Sequence, residues 1–102
     1  MEKVFFKRVY KLVKKVPLGK VVTYSQVAKA LGQPKNSRVV GYALHMNRSA
    51  NVPCHRVVDR DGRLATTFGF GGWREQKRRL EEEGVEYRDE MHVDLEKCGY
   101  EF

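Results

Sequence analysis

Residues 23–46, TYSQVAKALGQPKNSRVVGYALHM, predict two short helices joined by a tight turn. Thr23 followed by Gln26 is a capping-box pattern, in which the Thr hydroxyl and the Gln side chain bond amides at the start of a helix. A first helix is therefore expected from about Tyr24 to Leu31, ending at Gly32, because glycine readily adopts the backbone conformation that terminates a helix.

The second helix is expected from Arg38 to about Met46, after the turn at residues 33–35 and a cap at Asn36 or Ser37. Two short helices joined by such a turn are typical of a helix-turn-helix. Gly41 in the middle of this helix costs on the order of 1 kcal/mol relative to alanine. Close approach of another backbone explains it, and that backbone can be a neighbouring protein helix or a nucleic acid.

The positive charge belongs to the N-terminal half of the chain. Residues 1–58 carry twelve Lys and Arg against one acid, whereas residues 59–102 carry eight against twelve, and the formal net charge is +7. Such asymmetry favours a polyanion as partner, most commonly nucleic acid. The alternative is a basic surface that is simply solvated.

The composition indicates one globular domain, residues 1–102, of α/β but mainly α class. No apolar run approaches the roughly 20 residues of a membrane helix, and no signal-peptide pattern begins the chain. Cys54 and Cys98 show neither CxxC spacing nor a disulfide framework. We expect reduced thiols in a cytoplasmic protein (nuclear if eukaryotic) that is monomeric and binds neither metal nor cofactor.

The rest of the chain predicts one long helix, one shorter helix and a few short strands. Apolar periodicity indicates an N-terminal helix over residues 4–16, before the helix-turn-helix. A last helix over residues 73–83 is expected to end at Gly84. Residues 57–64 resemble a small hairpin, and 85–87 and 91–95 resemble short strands. The loop at 65–72, rich in Gly and Phe, is expected to be mobile, and Cys98 to be a small tail residue. The whole is expected to form a winged-helix-like DNA-binding domain.

The sequence Pro53-Cys54-His55-Arg56-Val57 contains the candidate nucleophile. An imidazole and a guanidinium beside a thiol favour the thiolate, so a low-pKa nucleophile is expected. The alternative is a buried, unreactive cysteine.

These separated motifs together resemble the DNA-binding domain of the O6-alkylguanine-DNA alkyltransferases, over roughly residues 3–85. The resemblance rests on VVTYSQVA at 21–28, RVVG at 38–41, Asn47, PCHRVV at 53–58, Gly71-Gly72 and Glu83-Gly84.

This resemblance implies a reaction in which Cys54 takes the alkyl group from a flipped O6-alkylguanine in double-stranded DNA and keeps it. His55 and Glu83 would form a Glu-His-water-Cys relay that removes the thiol proton. Asn47 would hold the active-site loop, and Tyr24 would protonate the departing guanine.

The resemblance also implies a duplex-binding surface around the second helix of the helix-turn-helix. Arg38 would fill the space of the flipped base, and the small residues Gly41 and Ala43 would allow close approach to the minor groove. Further DNA-binding candidates besides Tyr24 are Ser25, Gln33, Arg56 and Arg60.

Three departures from the family pattern leave alternatives open. The loop from Asn47 to Cys54 is one residue short, the stretch before Gly71 is about two residues long, and Gly69-Phe70 replaces the usual Tyr-Ser. Phe68 or Phe70 would then supply base stacking.

The short scaffold also resembles alkyltransferase-like proteins, which bind the lesion without repairing it and recruit nucleotide excision repair, but which usually carry Trp at the thiol position. A winged-helix transcription factor is a third reading, although it leaves the thiol unexplained.

Overall fold

A computed structural model describes residues 2–65 and 68–102, and it confirms the mainly helical class with a short strand pair. A 3-10 turn at Cys54–Arg56 lies directly before the second strand. In chain order the helices and strands are α1 (Glu2–Val13), β1 (Val22–Thr23), α2 (Tyr24–Ala30), α3 (Ser37–Met46), β2 (Val57–Val58), α4 (Gly72–Glu82) and α5 (Leu95–Cys98).

The helix-turn-helix is formed by α2 and α3, and its capping box is present. The amide of Gln26 donates to Oγ1 of Thr23 at 3.2 Å, while the amide of Thr23 donates to Oε1 of Gln26 at 2.9 Å. Asn36 precedes α3 and makes no capping bond with its side chain, and its Nδ2 donates to Oε1 of Gln33 at 2.7 Å. This bond fixes the turn between the two helices.

The parallel pair β1–β2 joins the helix-turn-helix to the cysteine segment. Val22 pairs with Val57 and Thr23 with Val58. Because β1 leads directly into α2 and β2 directly follows the 3-10 turn, this pairing sets the thiol beside the start of α2. The two strands are therefore the link between the predicted nucleophile and the predicted recognition element.

The predicted hairpin at residues 57–64 is wrong in its pairing. A turn exists, with the amide of Asp59 donating to the carbonyl of Arg63 at 3.1 Å, but β2 pairs with β1 and Arg63 bridges to His92. The two halves of the predicted hairpin therefore pair with distant segments of the chain and not with each other.

The C-terminal segment also departs from expectation. The predicted strands at 85–87 and 91–95 form isolated bridges instead of strands: Tyr87 bridges to Val93, and His92 bridges to Arg63. Asp94 accepts bonds from the amides of residues 96 and 97 and so starts the short helix α5, which the sequence analysis missed. Cys98 is not a loose tail residue: it is 5% exposed and accepts a bond from the amide of Glu86.

Two apolar clusters result. The first lies among α1, α2, α3 and the cysteine turn, and the second lies beneath α4 and the C-terminal segment, with Leu80 and Val93 at its centre. α1 ends at Val13, three residues earlier than predicted, although Val16 still lies in the first cluster. α4 begins one residue earlier than predicted and ends at Glu82, before Gly84.

Part of the predicted mobile loop, Thr66 and Thr67, lies outside the described residues. No helix within the described ranges combines the length and apolar character needed to cross a membrane.

Candidate active site

The Cys54 thiol lies at the meeting point of α3, the loop that follows it and the 3-10 turn. The residue is 7% exposed. Nδ2 of Asn47 donates to its Sγ at 3.2 Å, and Sγ lies 3.8 Å from the carbonyl oxygen of Leu44, to which the thiol donates. The sulfur is therefore oriented by two groups from the end of α3.

The prediction of a low-pKa thiol is wrong for the protein without bound DNA. Burial raises the pKa of Cys54 to about 11, and this outweighs the lowering effects of the bond from Asn47 and of the Arg79 charge. The adjacent cation expected to favour the thiolate, Arg56, is bonded to Glu83 instead. The resting cysteine is thus a protonated thiol.

Glu83 organises a cluster of charged groups beside the cysteine turn. Its Oε2 accepts from Nε2 of His55 at 2.7 Å, and Arg56 donates to both carboxylate oxygens at 2.9 Å. The amide of Gly19 adds a bond at 3.3 Å. Burial by itself raises the pKa of Glu83, but the bonds from Arg56 and His55 outweigh it and lower the pKa to about 2.

Burial keeps His55 neutral at physiological pH. Burial lowers its pKa below 6.5, against the raising effect of the hydrogen bond to Glu83. With the carboxylate accepting from Nε2, the neutral ring carries its proton there and leaves Nδ1 as the basic atom. The predicted carboxylate–imidazole pair is therefore present.

Arg56, predicted as a DNA contact, is bonded within the protein. Its Nη1 donates to the carbonyl of Val16 at 2.9 Å, while Nε and Nη2 are held by Glu83. This half-buried guanidinium ties the cysteine turn to the end of α4 and to the residues after α1. These bonds use three of the five guanidinium N–H groups, so the contact of Arg56 with DNA stays a prediction.

Asn47 connects α3 to the thiol. The residue is 4% exposed and directly follows α3. Its Oδ1 accepts from the amide of Ser49 at 3.1 Å, and its Nδ2 donates both to the Ser49 carbonyl at 2.9 Å and to Cys54. The same side chain therefore holds the following loop through Ser49 and orients the sulfur of Cys54.

A small pocket of about 40 Å³ opens over the thiol. Tyr24 forms one wall, and burial, with the Asp59 and Cys54 charges, raises the pKa of its phenol to about 12. A Cβ at Gly41 would meet the Tyr24 ring at an ordinary 3.8 Å, so protein packing does not require glycine there. The lining consists of Tyr24, Gly41, Leu44, His45, Cys54, Ala65, Phe68 and Gly69.

The predicted duplex contacts separate into exposed and buried groups. Arg38 is exposed in the first turn of α3, and Gln33 and Arg60 are exposed in turns, whereas Ser25 is half-buried with its hydroxyl 3.3 Å from that of Thr23. Ala43 is 0% exposed within the first apolar cluster. The prediction that Ala43 lies at the duplex surface is therefore wrong, because its helix face packs against α1.

Two residues of α4 contact the site without having been predicted. Gln76 is 0% exposed and bonds the amide of Ala65 and the carbonyls of His55 and Val57. Gln76 lies four residues before Leu80, on the same face of the helix, and this spacing could have indicated a structural role. Its hydrogen-bond partners could not be predicted from the sequence.

Arg79 is the second such residue. Its guanidinium lies 5.4 Å from the ring of Phe68 and 5.1 Å from that of Phe70, and it pairs with Glu75 at 2.8 Å. The ring of Phe68 forms part of the pocket wall, so Arg79 supports that wall through cation–π contact. Nothing in the local sequence distinguishes it from the neighbouring Arg78.

Within residues 2–65 and 68–102, no group of three His, Cys, Asp or Glu side chains is arranged to hold a metal ion. The chemistry available at the site comes from a thiol, an imidazole–carboxylate pair, an amide and a phenol.

Comparison with known proteins identifies relatives of two kinds. Alkyltransferase-like protein 1 of Schizosaccharomyces pombe is 42% identical over 83 residues, which cover 80% of this chain and 77% of that protein. The methylated-DNA–protein-cysteine methyltransferase of Methanosarcina acetivorans is 46% identical over 61 residues, covering 59% of this chain and 39% of that enzyme. The chain thus spans well under half of that methyltransferase.

Solved structures show the same division. The S. pombe Atl1 complex with damaged DNA containing O6-carboxymethylguanine matches with a TM-score of 0.87 and 34% identity, covering 98% of this chain and 97% of Atl1. The Mycobacterium tuberculosis O6-methylguanine methyltransferase matches with a TM-score of 0.68 and 36% identity, covering 78% of this chain and 47% of that protein. Residues 4–85 also match the family described as 6-O-methylguanine DNA methyltransferase, DNA binding domain. The chain therefore belongs to the 6-O-methylguanine DNA methyltransferase family, through its DNA-binding domain.

Proposed function

We propose that the protein repairs DNA by flipping O6-alkylguanine out of the duplex and transferring the alkyl group irreversibly to Cys54. The observation that carries this proposal is the thiol itself: Sγ lines the pocket, is oriented by Asn47, and belongs to the same turn as the His55–Glu83 pair. The protein acts as a monomer without a cofactor, in the cytoplasm or, in a eukaryote, the nucleus.

The raised pKa of the thiol defines what the site has to do. At neutral pH a thiol with a pKa of about 11 is protonated, so its proton must leave as the sulfur attacks. His55 is neutral and hydrogen-bonded to Glu83, so it accepts that proton through a water molecule, and the carboxylate stabilises the resulting imidazolium.

The bonds then balance within the site. The S–C bond forms as the bond between the alkyl carbon and O6 breaks, and the electron pair passes to the guanine. Tyr24, whose phenol has a pKa of about 12, donates a proton to that guanine and is reprotonated through solvent from the imidazolium. Because a thioether does not leave readily, each molecule acts once.

DNA engagement is assigned to the exposed start of α3 and the turns beside it. Arg38 would fill the gap left by the flipped base, and Ser25, Gln33 and Arg60 would contact phosphates; the exposure of Arg38, Gln33 and Arg60 supports these roles. Gly41 has room for a methyl group on its protein side, which supports close approach of the duplex as the reason for glycine. The 40 Å³ pocket is far below the roughly 300 Å³ of small-molecule sites, so lesion binding must widen it.

A second candidate function is lesion sensing without transfer, followed by recruitment of nucleotide excision repair. The near-complete overlap with Atl1 favours it, since the match covers 97% of that chain. The protonated resting thiol is compatible with both functions. Binding of either kind should weaken steeply with salt, because Lys and Arg displace counterions from phosphates.

Intact-protein mass separates the two functions. The wild type, Cys54→Ser and Cys98→Ser are incubated with a duplex containing one O6-methylguanine, Cys98 being the matched control because it is also a buried thiol but lies in the second apolar cluster. Transfer predicts that the wild type and Cys98→Ser gain one methyl group and that Cys54→Ser does not.

Lesion-selective binding without any gain in mass would establish the sensor instead. Equal binding to lesion-bearing and plain duplex would contradict both functions and support a transcription factor. The gel-shift comparison is therefore run on the same samples as the mass measurement.

A further inference from the structure

A cleft of about 590 Å³ lies between α1 and the loop at residues 46–52, separate from the thiol pocket. Lys7 and Lys11 of α1, with Lys14 in the turn directly after it, form one side of its rim, and Arg48 lies on the other. All four side chains are exposed. The volume is within the range of pockets that bind ligands, whereas the thiol pocket is far smaller.

The cleft also has apolar surface within this cationic rim. Met46 is 43% exposed, and Val52 and the ring of Tyr10 also line the cleft. Tyr10 is fixed there, since its hydroxyl donates to the carbonyl of Ala43 at 2.6 Å. An occupant therefore meets both positive charge and an apolar contact.

The rim lysines have no acidic partner among the side chains that the structure describes. Among the described residues, no acidic side chain forms an ion pair with Lys7, Lys11 or Lys14, and the ion pairs that are present all involve residues from His55 onward. Lys7 and Lys11 are four residues apart on one face of α1, and Lys14, whose amide bonds the carbonyl of Tyr10, extends that row into the following turn over roughly 10 Å in all. An anionic occupant would relieve the repulsion among them.

The cleft does not share the face of α3 that meets the lesion. Gly41, Leu44 and His45 line the thiol pocket, while Met46 lies on the side packed against α1. Each residue turns the helix by about 100°, which places these two sets on different sides. A duplex delivering a base to Cys54 would therefore leave the cleft open.

We propose that this cleft docks an acidic segment of a partner polypeptide that carries an apolar anchor side chain. Carboxylates would pair with the rim lysines while the anchor contacts Met46 and Val52. A sugar-phosphate strand is polar along its contact surface and offers no equivalent anchor, so it matches the rim but not the interior. The proposal goes beyond alkyl transfer and does not depend on it.

Occupancy of the cleft is connected to the thiol through Asn47 and Ser49. Both residues line the cleft, and Asn47 also donates to Sγ of Cys54 at 3.2 Å. A ligand that fixes this loop would change the setting of the sulfur, and by linkage modification of the sulfur would change the affinity for the ligand. The partner would thereby distinguish the alkylated protein from the free one.

The probe is a short fluorescein-labelled peptide rich in glutamate with one central tryptophan, measured by fluorescence anisotropy against the same peptide with serine at the centre. Lys7→Glu/Lys11→Glu is compared with Lys29→Glu/Lys35→Glu, which makes the same charge change at exposed lysines outside the cleft. The cleft variant should bind the tryptophan peptide at least about tenfold more weakly, and the control should lose less than about threefold.

Met46→Ser tests the anchor. It should abolish the preference for the tryptophan peptide over the serine peptide while leaving the binding of the serine peptide unchanged. Circular dichroism establishes that each variant is folded, which is expected because all these side chains are exposed.

Four results would overturn the proposal. These are equal weakening by the two lysine pairs, equal affinity for the two peptides, displacement of the peptide by plain duplex at equal phosphate and carboxylate concentration, and a Lys7-dependent dimer in sedimentation. The last two would assign the cleft to nucleic acid and to a second copy of the chain, respectively.

Discussion

Replacing Glu83 by glutamine tests whether the buried charge cluster holds the cysteine turn in place. The pKa of this carboxyl is lowered from 4.5 to about 2, and each unit corresponds to about 1.4 kcal/mol. The side chain is 12% exposed, so we expect Glu83→Gln to reduce the free energy of unfolding by about 2 to 3 kcal/mol at pH 7. For a domain of this size that is a fall in Tm of roughly 10 to 20 °C.

The pH dependence has a defined sign. Because the folded-state pKa of Glu83 lies below that of an unfolded glutamate, its contribution is complete above about pH 5 and is lost as the pH falls from 4.5 towards 2. The difference between wild type and Glu83→Gln should therefore narrow by about 1 kcal/mol between pH 6 and pH 3.5.

Urea unfolding followed by tryptophan fluorescence measures both effects. Glu82→Gln is the matched control, since this neighbouring carboxylate is 65% exposed and pairs with Arg78 at the surface. It should change the free energy of unfolding by less than about 0.5 kcal/mol. Equal losses from the two variants, or a difference that does not change with pH, would refute the reasoning.

Two further predictions concern the thiol and a turn. With a thiol pKa of about 11, iodoacetamide labelling of Cys54 in a Cys98→Ser background should rise about tenfold per pH unit between pH 7 and pH 10, measured by intact mass; a plateau by pH 8 would contradict the raised pKa. Gly62→Ala should lower the free energy of unfolding by about 3 kcal/mol, because Gly62 has φ +86° and a Cβ there would lie 2.6 Å from the carbonyl oxygen of Val93. Gly32→Ala, with φ +74° and open space around it, should cost about 1 kcal/mol, and equal losses in urea unfolding would show that the clash is relieved.

The elements that could be predicted from the sequence are those determined by local interactions. The capping box at Thr23, the turn at Gly32 and the end of α4 before Gly84 depend on neighbours within a few residues, and each is present. The prediction of a hairpin at 57–64 was wrong because its backbone partners are distant in the chain, in β1 and at His92. α5 was missed because four residues carry too little periodicity to distinguish a helix from a strand.

The site divides in the same way. Cys54 with its neighbour His55 was identified by residue type, and Asn47 by the family resemblance; the structure brings the three together around one turn. The environment of the thiol was not predictable, since it depends on which residues bury it and where the Arg56 guanidinium points. Ala43 and Gln76 illustrate the same limit: a small residue on a recognition helix and a polar residue on an amphipathic one are both buried by packing between helices.

By itself the sequence determined the helix-turn-helix and the basic half of the chain, because capping, periodicity and charge are properties of neighbouring residues. Only the tertiary structure decided that Arg56 binds Glu83, and that the thiol is protonated at rest. Those outcomes depend on burial and on contacts between residues far apart in the chain, since desolvation and charge pairing set a pKa, and neither can be read from the order of residues alone.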